Sequence, residues 1–196
     1  MRINYGIWDI GWRNIIITGP IGSGKSTATA YLSKIGFKTI DLDIVSNNIL
    51  TSKESISFID SYFPTALENN TINKETLADI VFNDEKELVK LEGFLHPKVL
   101  TELQAIISES EGVIFVEVSA PRNLQNDFDC LVIFAPEHLR KERLKKRGME
   151  IQDIENRINS QQDEEWWLSL GTVLYNQDIN NFYSEIDKYL NINKLH

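Results

Sequence analysis

Four short and mostly apolar runs punctuate this chain, at Asn14–Thr18, Val113–Val118, Leu131–Ala135 and Thr172–Tyr175, each followed by turn residues. Their hydrophobicity is continuous rather than alternating, which marks strands buried on both faces, as in a parallel sheet. Lys38–Asp41, with Ile40 inside it, is a fifth and weaker candidate. Between these runs the apolar spacing turns helical. Ser26–Ile35 is closed by Gly36, the residue favoured just past a helix end. Glu85–Leu95 stops before His96-Pro97, and Lys98–Ile107 resumes as a separate helix. Glu137–Arg147 and Ile154–Gln161 follow, and in Ile179–Leu190 the residues Ile179, Phe182, Tyr183, Ile186, Tyr189 and Leu190 make one apolar stripe.

Strands alternating with helices predict an α/β protein, a three-layer α/β/α sandwich around a five-stranded parallel sheet. Residues 53–107 break that rhythm, with helices but no good strand. They read as a helical insert over the sheet's carboxyl edge, leaving 14–52 and 108–196 as the core of a single domain. Within the insert, Glu68–Asn73 reads as a plain loop.

Composition narrows this picture. A formal charge of −9 argues against a general nucleic-acid binder, which needs a net basic face. The single cysteine, Cys130, excludes an intrachain disulfide and, inside an apolar run, reads as a small buried hydrophobe. No stretch reaches the roughly 18 apolar residues of a membrane span, and Met1–Arg13 lacks the apolar stretch of a signal peptide. The expectation is a cytoplasmic protein acting on small molecules, with a monomer slightly favoured.

The chemistry is concentrated in Gly19-Pro-Ile-Gly-Ser-Gly-Lys-Ser26, which follows an apolar strand and opens a helix. That is the context of a Walker A phosphate loop. Its glycines, Gly19, Gly22 and Gly24, let the backbone curl so that successive N–H groups face phosphates. The loop through Ser23 and on to Thr27 would cradle ATP at a helix amino terminus. Lys25 would reach the β- and γ-phosphates, and the Ser26 hydroxyl would ligate Mg2+. An Asn-Lys-x-Asp base-recognition motif is absent and the chain is short, so a P-loop kinase of the nucleoside-monophosphate-kinase type fits best.

Asp43, just past the second strand, is placed to accept a proton from an incoming hydroxyl, or else to cap a helix Ile44–Leu50. Six basic residues crowd Leu139–Arg147, and Arg140, Arg143 and Arg147 share a helix face. In a P-loop protein they read as part of a lid, 139–161, with Arg143 and Arg147 stabilising charge on the transferring phosphoryl group. His96 before Pro97 is either structural or a substrate contact. Trp166-Trp167 reads as packing, and Glu117 as an outer Mg2+ residue or a sheet-edge group.

Taken together, these residues resemble the dephospho-CoA kinase family from about Asn14 to Asn176. The loop Ile17–Thr27 is close to that family's, which has glycine where Pro20 stands. Gly36–Asp43 is similar to its second-strand signature, and Leu95-His96-Pro97 to its leucine-histidine-proline segment. Arg143–Met149 with Arg157–Gln161 looks like its lid, and Val173–Asn176 like the strand ending near the adenine. The resemblance implies transfer of the ATP γ-phosphoryl to the ribose 3′-hydroxyl of dephospho-CoA, with Asp43 as base, His96 at the substrate and Asn176 by the nucleotide. Where the family usually shows Pro-Leu-Leu-Phe-Glu, this chain reads Val118–Asn123. A kinase for another acceptor, such as a nucleoside monophosphate, and a nucleotide-binding regulatory protein without turnover are the competing readings.

Overall fold

The first apolar run forms β1 (Asn14–Thr18), and after the glycine loop the chain enters α1 (Lys25–Lys34). The weaker candidate is a real strand, β2 (Lys38–Asp41), running straight into α2 (Leu42–Leu50). There follow α3 (Lys53–Tyr62), a two-residue hairpin of β3 (Leu67–Glu68) and β4 (Thr71–Ile72), α4 (Lys74–Asn83) and α5 (Glu85–Ser108). The chain continues through β5 (Ile114–Glu117), β6 (Asp129–Phe134), α6 (Glu137–Lys146) and α7 (Ile151–Asn159). It ends with α8 (Glu164–Ser169), β7 (Thr172–Tyr175) and α9 (Ile179–Asn193). This computed structural model describes residues 14–121, 124–126 and 128–195. The expectations for Met1–Arg13, and for Arg122 and Asn123 in the divergent segment, lie outside those residues.

The expected five-stranded sheet is present, in the order β2-β5-β1-β6-β7 with every pairing parallel. β1 lies at its centre, and Ile15, Ile16 and Ile17 are each almost wholly buried. Alternate side chains serve opposite faces. Ile15, Ile17, Phe115, Leu131 and Ile133 pack under α1 and α9, where Ala28, Leu32, Phe182 and Ile186 complete one core. Each such large aliphatic contributes about 1.5–3 kcal/mol by leaving water. The register brings Asp41 opposite Glu117 at the carboxyl end of two neighbouring strands. Thr18 closes the end of β1 by donating from Oγ1 to the Val118 carbonyl, 2.9 Å away.

The chain divides into two compact units, one of the described residues up to Asp41 with those from Ser110 on, the other Leu42–Glu109. The second unit has its own core of Ile59, Phe63, Ala66, Ile72, Leu77, Val81 and Leu91. Three of its helices, α3, α4 and α5, start on side-chain oxygens, which satisfy N–H groups left over at a helix amino terminus. Ser52 accepts from the Ser55 N–H, Asn73 from Thr76 and Asp84 from Lys86.

Three sequence readings need correction here. The break expected at His96-Pro97 does not occur, and α5 runs through Pro97 as one helix of 24 residues. Proline removes the bond to the carbonyl four residues back and crowds that carbonyl, which here belongs to Gly93, an exposed position with open space around its α-carbon. The Glu68–Asn73 loop holds the hairpin, turned by Asn69 and Asn70 at φ of 50° and 62°. Asparagine tolerates that left-handed conformation, and two such residues in succession make the turn that suits strand twist. Finally, α2 begins at Leu42, so Asp43 sits inside its first turn and is not the N-cap.

Candidate active site

Between β1 and α1 the chain makes a tight curl that only glycine permits at two points. Gly19 has φ of 144°, and a β-carbon there would lie 2.0 Å from the Ile133 carbonyl oxygen. Gly24 has φ of 103°, and its β-carbon would meet the Asn176 Nδ2 at 2.1 Å. The curl is closed by the Ser23 N–H donating to the Pro20 carbonyl at 3.2 Å. Gly24 then occupies the N-cap of α1 with no side-chain cap. The amino terminus of α1 is therefore left for an anion, with the partial positive charge of the helix behind it.

Lys25 reaches back over the curl, its Nζ donating to the Gly19 carbonyl at 2.9 Å and to Pro20 at 3.4 Å. Ser26 is exposed on the first turn, beside the half-buried Thr27. Ser23 is completely buried, and its Oγ has no hydrogen-bond partner. One turn further on, the Thr29 hydroxyl donates to Glu117 Oε2 at 2.7 Å, holding that carboxylate at the strand end next to Asp41.

The outer side of the curl is held by side chains from α6 and beyond. Arg140 is buried, donating from Nε to the Ala135 carbonyl and from Nη1 to Ile21. Arg143 donates from Nη1 to the carbonyls of Gly22 and Ser23, and from Nη2 to the backbone and side-chain oxygens of Asn176. Asn176 is itself buried and returns Nδ2 to the Ser23 carbonyl at 2.8 Å. Burial pushes the pKa of both guanidinium groups down, and the neighbouring charge of Arg147 adds to this for Arg143. Gln161, past the end of α7, accepts the Ile21 N–H at 2.9 Å.

The basic cluster therefore divides by role. Lys141 and Lys146 pair with Glu137 and Glu142 one turn back, and solvent screening leaves such exposed pairs little net worth. Arg140 and Arg143 are engaged with the curl, while Arg147 is exposed at the C-cap of α6. Of the tryptophan pair, Trp167 is buried and donates from Nε1 to the Gln162 carbonyl, and Trp166 packs edge-on against it. Packing was the expectation, although α8 itself was not anticipated; its signal is Asp163, which caps the Trp166 N–H.

Asp43 and His96 belong to the second unit. Asp43 is exposed, two residues beyond Asp41, and His96 is half-buried in the middle of α5. Cys130 is buried as expected, and burial pushes its thiol pKa to about 11. Among the described residues no three His, Cys, Asp or Glu side chains gather as a metal cluster, and no helix is long and apolar enough to cross a membrane.

A central strand running into a glycine curl, a lysine on that curl and a helix opening behind it, all at the carboxyl edge of a parallel sheet, define a P-loop phosphotransferase. The family follows from comparison. The chain belongs to the dephospho-CoA kinase family, whose sequence model matches residues 13–181. The dephospho-CoA kinase of Wolinella succinogenes is 31% identical over 157 residues, covering 76% of this chain and 78% of that protein. A crystal structure from Thermus thermophilus superposes with a TM-score of 0.87 at 29% identity, over 93% of this chain and 97% of the other. The dephospho-CoA kinase from Campylobacter jejuni gives a TM-score of 0.62 at 26% identity, over 91% and 96% of the two chains.

Proposed function

We propose that this protein is an ATP-dependent kinase that phosphorylates the ribose 3′-hydroxyl of dephospho-CoA, giving coenzyme A and ADP in the cytoplasm. The observation that carries the reading is the phosphate loop with Lys25 and Ser26 in place, inside a chain matched by the family over residues 13–181. Phosphoryl transfer asks mostly for positioning and charge stabilisation. The backbone N–H groups of Gly22 and Gly24 and the uncapped start of α1 supply donors for the phosphates of ATP. Lys25 exchanges its carbonyl contacts for the β- and γ-oxygens, and Arg147 adds positive charge from the lid as the phosphoryl group transfers. Asp43 accepts the proton of the attacking hydroxyl, His96 contacts the acceptor, and Asn176 borders the nucleotide.

The donor set also fits Mg2+, a hard cation that prefers oxygen ligands and keeps several waters. Ser26 presents an exposed hydroxyl, and the Glu117 carboxylate, fixed by Thr29, stands beside Asp41 in register. We assign Ser26 as the direct ligand and the two carboxylates to the water shell. When bound, the ion neutralises charge developing on the phosphate oxygens.

The test is ADP release from MgATP against dephospho-CoA, the common nucleoside monophosphates, adenosine and no acceptor. Saturable turnover with dephospho-CoA alone is the expected result. Turnover only with another acceptor would keep the P-loop chemistry and overturn the substrate. Nucleotide binding without turnover on any of them would favour a regulatory role.

A further inference from the structure

A backbone that turns its N–H groups toward an anion turns the intervening carbonyls the opposite way. Those carbonyls need donors of their own, since buried backbone groups are rarely left unpaired. In this loop they find them on one guanidinium and its neighbours. Arg143 Nη1 serves Gly22 at 3.4 Å and Ser23 at 3.2 Å. Its Nη2 serves the Asn176 backbone oxygen at 2.8 Å and Oδ1 at 3.3 Å. Because Oδ1 faces the arginine, the amide nitrogen of Asn176 faces the loop, where it donates to Ser23 at 2.8 Å. That same nitrogen fills the space a β-carbon on Gly24 would take. One planar fork thus reaches two consecutive loop carbonyls and sets the orientation of a third group that grips the loop.

We infer that Arg143 is a positioning residue for the phosphate loop, acting through Gly22, Ser23 and Asn176, and that it does not touch the transferring phosphoryl group. The inference rests on the loop being the phosphate cradle, and on nothing about the acceptor. A lysine cannot replace it, because a single ammonium lacks the planar array of donors that spans these acceptors. The consequence is that Arg143 governs how well any phosphate chain is held, with or without a base and with or without a γ-phosphate.

The experiment compares binding of MgADP and of inorganic tripolyphosphate to the full chain and to Arg143→Met, with Lys146→Met as a surface-charge control. Loss of the loop's carbonyl partners weakens both probes by a similar factor, about 10- to 100-fold, while kcat at saturating ATP falls by less than about threefold. Amides from Gly22 to Ser26 exchange faster in the nucleotide-free variant than in the parent. A loss confined to tripolyphosphate would mean a γ-phosphate contact, and a loss confined to MgADP a contact with the nucleoside; either overturns the inference. So would a fall in kcat with both affinities unchanged. If Arg143→Met does not fold, Arg143→Lys takes its place, with the same loss expected for both probes and the same results overturning it. Because no acceptor is added in the binding assays, a wrong acceptor leaves this result intact.

Discussion

Gly24→Ala tests the fit between the loop and the end of β7 most directly. Two costs add at this position. The backbone at φ of 103° is a conformation that side-chain-bearing residues rarely adopt, and holding one there costs about 1–3 kcal/mol. The new methyl would also lie 2.1 Å from Asn176 Nδ2, so the amide must leave the Ser23 carbonyl, to which it donates from a buried position. A buried polar group stripped of its partner costs about 1–3 kcal/mol more. The variant should lose roughly 2–6 kcal/mol in urea unfolding, with MgATP affinity falling alongside. Asn176→Ala removes the obstructing amide, so the double variant should be less destabilised than the sum of the two single ones by about 1–3 kcal/mol. Strict additivity across that cycle would show that the methyl and the amide do not compete for the same space, and would refute the steric account.

Three further outcomes follow from the same site and core. Lys25→Met should lower kcat by about 10²–10³-fold, the usual effect of losing one charge-stabilising donor, with a thermal midpoint close to the parent's in a melting curve. Asp43→Asn should leave MgATP binding largely intact and reduce turnover by about 10²-fold or more. A change in stability alone, measured by urea unfolding, would return Asp43 to a structural role in the first turn of α2. Cys130, with its thiol pKa held near 11 by burial, should react with a disulfide reagent at pH 8 only as fast as the protein unfolds, read from the thiolate released.

The parts of the fold legible in the sequence were those with strong local chemistry. The inner strands β5, β1 and β6 stand out because both faces are buried, so no polar alternation blurs them, whereas the edge strands β2 and β7 bury only Ile40 and Leu174 and show as short runs alone. The phosphate loop stands out because its geometry admits few residues. Pro97 was misleading because its rule is written for local backbone bonds, whereas Leu91, Val99, Leu103 and Ile107 bury along one continuous helix. The hairpin at Asn69 and Asn70 is too short to carry an apolar pattern, although the paired asparagines were a usable turn signal. The destination of Arg143 was hidden for another reason. Its sequence neighbours mark it as one of a basic helix face, but its partners are 33 and about 120 positions away and are mostly backbone oxygens. Asn176 came into view only through the resemblance, since an isolated asparagine at a strand end carries no signal by itself.

The strand order has a consequence for the protein's birth. β1 is made first, yet both its sheet neighbours, β5 and β6, come from the far side of Leu42–Glu109. That intervening unit is contiguous, so it is complete in the nascent chain by Glu109, and can close its own core while β1 still lacks partners. At a synthesis rate of about 5–20 residues per second, the ribosome needs roughly one to five more seconds to reach the end of β6 at Phe134. Until then Ile15, Ile16 and Ile17, among the most deeply buried side chains of the finished molecule, lack the full pair of sheet neighbours that flanks them there.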